Sequence, residues 1–529
     1  MPPKKNRVAI VGAGPAGMSC ASALANHPDR FDVTLFDIAS YTGGQATSIS
    51  LDEARYGAEW LNDGVQGGSP IFRHTFNFFR RYGYEARPVK LQVAFGKGVE
   101  SFFTNVFPSP LVDELSDEIR KLGRVLKWIK RLLPILGIMP VKTIMKLFRF
   151  SDEFANKMVI PIMALFLGTG NQTPNVSAAL LERLFDDPNM RLWEYDPDTL
   201  LPNRPIMYTF PNLAAFYADW AADLAPKGVH LRLNTAVEIL QRDKHGITLR
   251  PRPTNPTTPT AQAPAEACAV DDFCEKYDEL ILSLPADEAK ALLGKHATWR
   301  ERYVLGGVAF YNDITITHSD SDYFSSIFET RYRSDLCSKS KGKASATREQ
   351  QIAFAERQPP TARKDGWEGF APMYFTHSSA GAPTCIEMGF DCSNYQHQFR
   401  ERVGEGNTAL EPERHVYQTI YLNDQQKHLW TWESIDPAKI ISKKWWRQMG
   451  HRWQHYLRVV PGMMSINGRN RTTYAGAWTM VNMHEIACIS GLAAAYRLGA
   501  AYEPFDVLAE DLFAKYLLVS HGVRYKPRQ

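Results

Sequence analysis

The feature that most constrains this chain lies at its start. Arg7-Val-Ala-Ile-Val11 is a β-branched run, and Gly12-Ala-Gly14-Pro-Ala-Gly17 follows it at once. Met18 to Leu24 then reads as a helix of small packing residues. Glycine is needed at 12 for a tight turn, at 14 so that backbone can approach a pyrophosphate, and at 17 so that the helix can pack on the strand. The phosphates would sit on a helix N-terminus. A second strand, Phe31 to Phe36, ends in Asp37, twenty residues after Gly17, where a carboxylate can accept hydrogen bonds from a ribose. The spacing predicts an α/β, Rossmann-type dinucleotide domain. NAD, NADP and FAD remain to be separated; Asp37 argues against NADP, because it would repel a 2′-phosphate.

At 529 residues the chain has room for two to four lobes at roughly 150 residues each. Hydrophobic residues make up 44% and charged residues 22%, a globular balance that excludes a fibrous or wholly disordered chain. The 61 Lys and Arg against 57 Asp and Glu leave a net charge of +4, too small a surplus to imply a nucleic-acid partner. Seven cysteines, scattered and never in a CxxC pair, fit neither a disulfide framework nor a zinc site. A reducing, cytoplasmic location is expected, with no signal peptide and no spanning helix.

Thr42-Gly43-Gly44-Gln45 gives backbone a second approach to a diphosphate and favours FAD. With the GxGxxG turn and the acid at 37, this makes the first sixty residues resemble the flavin amine oxidase and phytoene desaturase superfamily. Its pattern carries a basic residue after the glycine pair; Gln45 departs from it and brings no charge. Asn62 to Gly68, including Gly64, falls where the superfamily runs a glycine-containing strand past the flavin. The likeness resumes in the helix Phe210–Leu224, the strand Val229–Leu233, the strand start at Thr235–Val237 and the closing strand Tyr277–Ala286. It ends on Arg471–Ala475, Gly476 and a helix from His484, nearest to a branch reading Gly-Ala-aromatic and His-Glu; Ala477 stands where an Asp would meet the ribityl chain.

The resemblance implies FAD held by Gly12, Gly14, Ala16, Gly17, Asp37, Gly44, Gln45, Gly64, Val237, Gly476 and His484. His484 and Glu485, at the start of a helix aimed at the flavin, are the candidate catalytic residues, with helix capping as the rival role. The expected domains are a discontinuous FAD-binding unit, 1–70, 205–290 and 466–529, and a mixed β-sheet and helical substrate unit, 71–204 and 291–465. Residues 251–268 and 334–366 read as flexible insertions. Gly168-Thr-Gly170 lacks a P-loop's Lys and reads as a loop, and the aromatics at 445, 446 and 453 have helical spacing. His451 and His455 stand at i and i+4 without a third ligand, so no metal is expected.

The segment 120–149 carries nine Lys and Arg and no acid. It reads either as a solvated basic face over a core or as an interfacial helix pair broken at Pro134 and Pro140. In the second case Val125, Trp128, Ile129, Leu132 and Leu133 insert shallowly into a membrane surface. The leading expectation is an FAD-dependent oxidoreductase that takes a hydride from, or desaturates, an apolar or amine-bearing small molecule. Without a second GxGxxG, oxygen, a quinone or a partner protein would accept the electrons. Alternatives are a redox-neutral FAD-containing isomerase or hydratase on fatty acyl chains, and a non-catalytic escort protein of the same fold.

Overall fold

The computed structural model describes residues 4–187, 191–254, 274–338 and 345–527. From the N-terminus come β1 (Asn6–Val11), α1 (Pro15–Ala25), β2 (Phe31–Phe36) and α2 (Arg73–Arg81). Next are β3 (Val93–Phe95), β4 (Phe103–Thr104), α3 (Ser116–Arg131), α4 (Val141–Leu147) and α5 (Ala178–Asp186). Then follow α6 (Leu213–Leu224), β5 (Val229–Arg232), β6 (Thr235–Arg242), β7 (Glu279–Leu282) and α7 (Ala286–Leu293). The second sheet draws on β8 (Phe310–His318), β9 (Tyr374–Ser379), β10 (Ala382–Asp391), β11 (Tyr417–Tyr421) and β12 (Ile440–Met449), with α8 (Ser345–Ala355) between β8 and β9. β13 (Thr472–Tyr474) and α9 (His484–Arg497) complete the site's framework.

The nucleotide sheet runs β5-β2-β1-β7-β13, parallel throughout. Its central strands are apolar along their length because both faces are covered: Val8, Ala9, Ile10, Leu280, Ile281 and Leu282 are all buried. α1 and α9 lie against each other so closely that a Cβ on Gly491 would stand 2.0 Å from the Ala16 carbonyl oxygen. The sheet gathers strands from residues 6–36, 229–282 and 472–474, which explains why the motif returns three times along the sequence. Of the further sheets, the largest runs β12-β8-β11-β10-β9-β3-β4 and is antiparallel except where β9 pairs with β3.

Two sequence expectations change here and a third is narrowed. The aromatics at 445 and 446 belong to an edge strand, not a helix: in β12, Lys443, Trp445 and Arg447 are exposed while Lys444, Trp446 and Gln448 turn inward, a period of two. Of residues 334–366, expected to be a flexible insertion, the described ones include α8 and the strand Thr361–Arg363. Ala355 is buried and Arg348 pairs with Asp113 at 2.7 Å, which anchors a segment whose composition is polar. The run Lys339 to Lys343 and most of 251–268 fall outside the described residues; Pro251 to Pro253 end the strand Ile247–Pro253.

The third concerns the basic segment. α3 and α4 are separated by a π-helical turn, Leu133–Gly137, as the prolines suggested. Val125 and Ile129 face the core at 2% and 0% exposure and are unavailable to a membrane. Trp128, Leu132, Ile135 and Leu147 are the apolar side chains left outside. Among the described residues, no helix is long and apolar enough to cross a membrane.

Candidate functional site

The first glycine turn is built by close packing on two sides and open space on the third. Gly12 adopts φ +105°, and a Cβ there would lie 2.5 Å from the Ser283 carbonyl oxygen. A Cβ on Gly17 would lie 1.9 Å from the Gly12 carbonyl oxygen. The Ser283 hydroxyl, at the end of β7, is shared between the carbonyl oxygens of Val11 and Gly12, at 2.9 and 2.7 Å. Gly14 differs: nothing lies within 4 Å of where its Cβ would be. It is the N-cap of α1, it offers no side-chain cap, and Pro15 follows at the first helical position, so the start of α1 has no side chain to accept its first N–H groups.

The second turn completes the cradle. The Gly43 N–H donates to the Ala13 carbonyl at 2.8 Å. Gly44 has φ +59°, and a Cβ on it would stand 3.3 Å from the Gly14 Cα. Gly43 is pressed on its other side by the Tyr217 ring of α6. Asp37, half-buried after β2, accepts from the Ala13 N–H at 2.6 Å and the Ala39 N–H at 2.8 Å. Each oxygen keeps a lone pair for a hydroxyl. The Asp37 carbonyl accepts the Thr235 N–H at 2.8 Å, which starts β6 beside the acid and puts Val237 two residues further on.

The opposite wall comes from the second sheet, and sequence reasoning did not foresee it. The Gln45 amide donates to the Arg447 carbonyl of β12 at 3.1 Å. A Cβ on Gly64 would meet the Gln45 carbonyl oxygen at 2.0 Å and the Trp446 ring at 3.0 Å. Lys444 Nζ lies 3.1 Å from Asp63 Oδ2 and 4.4 Å from the centre of the Trp446 ring. Trp446 Nε1 in turn donates to Thr315 Oγ1 of β8 at 3.0 Å. Burial pushes the Asp63 carboxyl above its ordinary value, against the opposing pull of Lys444.

At the C-terminal motif Gly476 adopts φ +137° and its N–H donates to Ser490 Oγ at 2.8 Å. α9 starts after Met483 without a side-chain cap. The structure gives the side chains of His484 and Glu485 protein partners on every polar atom. His484 is bonded through Nε2 to the Tyr217 hydroxyl at 2.6 Å and through Nδ1 to the Thr75 hydroxyl at 2.9 Å. Burial holds its pKa down to about 4, so the ring is neutral at pH 7. Glu485 accepts the His74 and Thr75 N–H groups, each at 2.9 Å, and lies 2.7 Å from His74 Nδ1. Burial alone would raise its carboxyl; His74 and the two N–H groups outweigh that and hold it below the ordinary range. Glu485 therefore caps a helix, α2, that is not its own.

His451 and His455 do not share a helical face. His451 sits in a left-handed turn with φ +44°, its Nδ1 2.7 Å from the Tyr456 hydroxyl, and His455 Nε2 lies 3.1 Å from the Met480 carbonyl oxygen. Among the described residues no three His, Cys, Asp or Glu side chains gather as metal ligands.

Residues 10–82 match the family model of the NAD(P)-binding Rossmann-like domain. No curated protein matches the chain in sequence. Among solved structures, the CLA-producing fatty acid isomerase from P. acnes superimposes with a TM-score of 0.54 at 14% identity, over 93% of this chain and 99% of that one. Cyclohexylamine oxidase from Brevibacterium oxydans IH-35A gives 0.55 at 11% identity, over 94% and 100%. A putative protoporphyrinogen oxidase from Exiguobacterium sp. 255-15 gives 0.55 at 12%, over 94% and 99%. These are likenesses of fold, and they run the length of both chains. The chain thus has a mixed α/β architecture with a parallel Rossmann-like sheet, the fold that these structures share.

Proposed function

We propose that this chain binds FAD and is an oxidoreductase that takes a hydride from an apolar or amine-bearing small molecule. One observation carries the reading: a Cβ on Gly14, at the N-cap of α1, would meet no protein atom within 4 Å, while Gly12 and Gly17 on either side of it are packed tight. A Cβ at 14 would enter space that no protein atom uses. A dinucleotide's diphosphate is the group that an uncapped helix start and two glycine turns accommodate. The second glycine turn at 43–44 and the uncapped start of α9 favour FAD over a nicotinamide dinucleotide.

Gly12 to Gly17 and Gly44 would hold the diphosphate, Asp37 a ribose, Val237 the adenine end, and Gly476 with the first turn of α9 the far end. Bound FAD supplies the hydride-accepting chemistry. The protein's part is to orient the substrate and to set the polarity around it. His484, neutral and bonded to Tyr217, would fix the α6–α9 contact beside the Gly43 turn. An apolar substrate is favoured by the fold's occurrence in a fatty acid isomerase and a protoporphyrinogen oxidase. Oxygen, a quinone or a partner protein would accept the electrons. The outer faces of α3 and α4, where Trp128, Leu132, Ile135 and Leu147 stand among Arg124, Lys127, Arg131, Lys142 and Lys146, would meet an anionic membrane surface.

Anaerobic mixing of the flavin-loaded protein with long-chain amines, fatty acids and reduced porphyrinogens tests the reaction. Bleaching of the flavin that persists until oxygen is admitted is the expected result. Turnover without net bleaching would replace hydride removal by redox-neutral isomerisation, and failure to take up FAD would leave a non-catalytic chain of this fold.

A further inference from the structure

A diphosphate brings two negative charges into its cleft, yet neither glycine turn carries a cation. Residues 12–17 and 42–45 contain no Lys or Arg, and the Gln45 amide is committed to the Arg447 carbonyl. A helix N-terminus contributes about half a positive charge. Asp37 and Asp63 both act on Tyr41 and raise its pKa, after burial, so the wall already leans negative. The missing charge has to come from elsewhere.

It is available on β12. Asp63 precedes Gly64, Gly64 packs on the Gln45 carbonyl, and Gly44 packs on Gly14, so Lys444 at Asp63 belongs to the same continuous wall. The Asp63 side chain is 3% exposed; Oδ2 faces Lys444, while Oδ1 is buried and makes no well-aligned hydrogen bond, the Asp63 and Gly64 N–H groups being the backbone donors beside the carboxylate. A buried carboxylate oxygen left unsatisfied is destabilising unless something donates to it. Lys444 Nζ, with three donors and one carboxylate contact, has hydrogens to spare. Its position is fixed by stacking over Trp446, which Thr315 holds in turn. The pair thus presents one free anionic acceptor and one cation with free donors, side by side.

A sugar-alcohol phosphate offers the complement, hydroxyl donors next to anionic oxygens. The geometry points to the Asp63–Lys444 pair as a cofactor-binding element supplied across the two sheets: Lys444 binds a diphosphate oxygen and Asp63 Oδ1 accepts from a ribityl hydroxyl of FAD. This rests on the FAD reading given above. It also explains how the cleft tolerates an uncharged residue at 45 and an alanine at 477.

Cofactor-free protein titrated with FAD and, separately, with ADP tests it, binding being read from flavin fluorescence and from displacement of FAD. Lys444→Met should weaken both ligands about tenfold or more and flatten the salt dependence of binding. Asp63→Asn should weaken FAD about tenfold and leave ADP unchanged, because ADP has no ribityl chain. Lys444→Arg should restore most of the affinity. The double variant Asp63→Asn/Lys444→Met leaves no lone buried charge, and an unchanged melting temperature without ligand shows that lost affinity is not lost folding. If the wild type binds FAD and all variants match it, the pair is a bridge between sheets and the inference falls alone. If the wild type binds neither FAD nor ADP, the functional reading falls with it.

Discussion

Three glycines within six residues serve different ends, and substitution separates them. Gly14→Val puts its side chain where no protein atom stands, so it should abolish dinucleotide binding while the melting temperature of the empty protein stays within a degree or two. Gly17→Val drives the same side chain into the Gly12 carbonyl and should unfold the domain or lower its melting point sharply. Equal losses of stability in both would show that the space at Gly14 is not a ligand site. Glu485→Ala removes the acceptor of two buried N–H groups and of His74, and should cost about 3 kcal/mol in chemical denaturation, with Glu485→Gln between it and the wild type. Flavin reduction slowed at unchanged stability would instead return Glu485 to the reacting centre. At this scale the sequence was informative where function depends on neighbours in the chain: the GxGxxG turn and Asp37 are local. His74, Thr75 and Tyr217 were invisible because each meets its partner across more than 250 residues.

Elements were legible when their periodicity was pure. β1, β2 and β7 are short apolar runs bounded by turns, and they form as read. β12 was misread because Trp445 and Trp446 are adjacent, which breaks the visible alternation even though their side chains point to opposite faces. α3 shows the opposite limit, since its amphipathic pattern is explained first by the core that Ile119, Leu122, Val125, Leu126 and Ile129 enter. What remains outside is the patch around Trp128. The intact protein should float with anionic vesicles at low salt, each near-surface cation adding about 1 kcal/mol, and release as salt shortens the screening length below about 8 Å. Glu at 127, 131 and 146 should abolish flotation; Lys130 is left alone because Asp186 holds it at 2.6 Å. Equal flotation of both proteins at high salt, or of neither at low salt, would make this a solvated face.

The whole molecule stores its titration behaviour in buried imidazoles. Burial holds His318, His451 and His521 down to about 3, and His397, His455 and His484 down to about 4. In the unfolded chain these rings take up protons near pH 6.5, and in the folded one only below about 4, so the unfolded state binds more protons across that window. Stability is therefore full above about pH 6.5 and falls as the pH drops toward 4. His415 opposes the trend, because Asp391 outweighs its burial and raises it. The carboxyls of Asp313 and Glu387, which burial raises to about 8 and about 7, hold protons in the folded state over the same window and offset part of the loss. Six depressed imidazoles outnumber them, so thermal melts should move down between pH 7 and 5; a flat melting temperature across that range would contradict the neutral, buried state of these rings. Chain-wide topology was readable only as a recurrence of strand-turn-helix patterns, whereas the docking of β12 against the Gly14 cradle needed the three-dimensional fold. The claim on which everything else stands is that this cradle holds FAD, and the absorbance spectrum of the purified chain after incubation with FAD and removal of the free cofactor tests it most directly. The account predicts the two-banded absorbance of oxidised flavin at one equivalent per chain; a colourless protein after that incubation would contradict it.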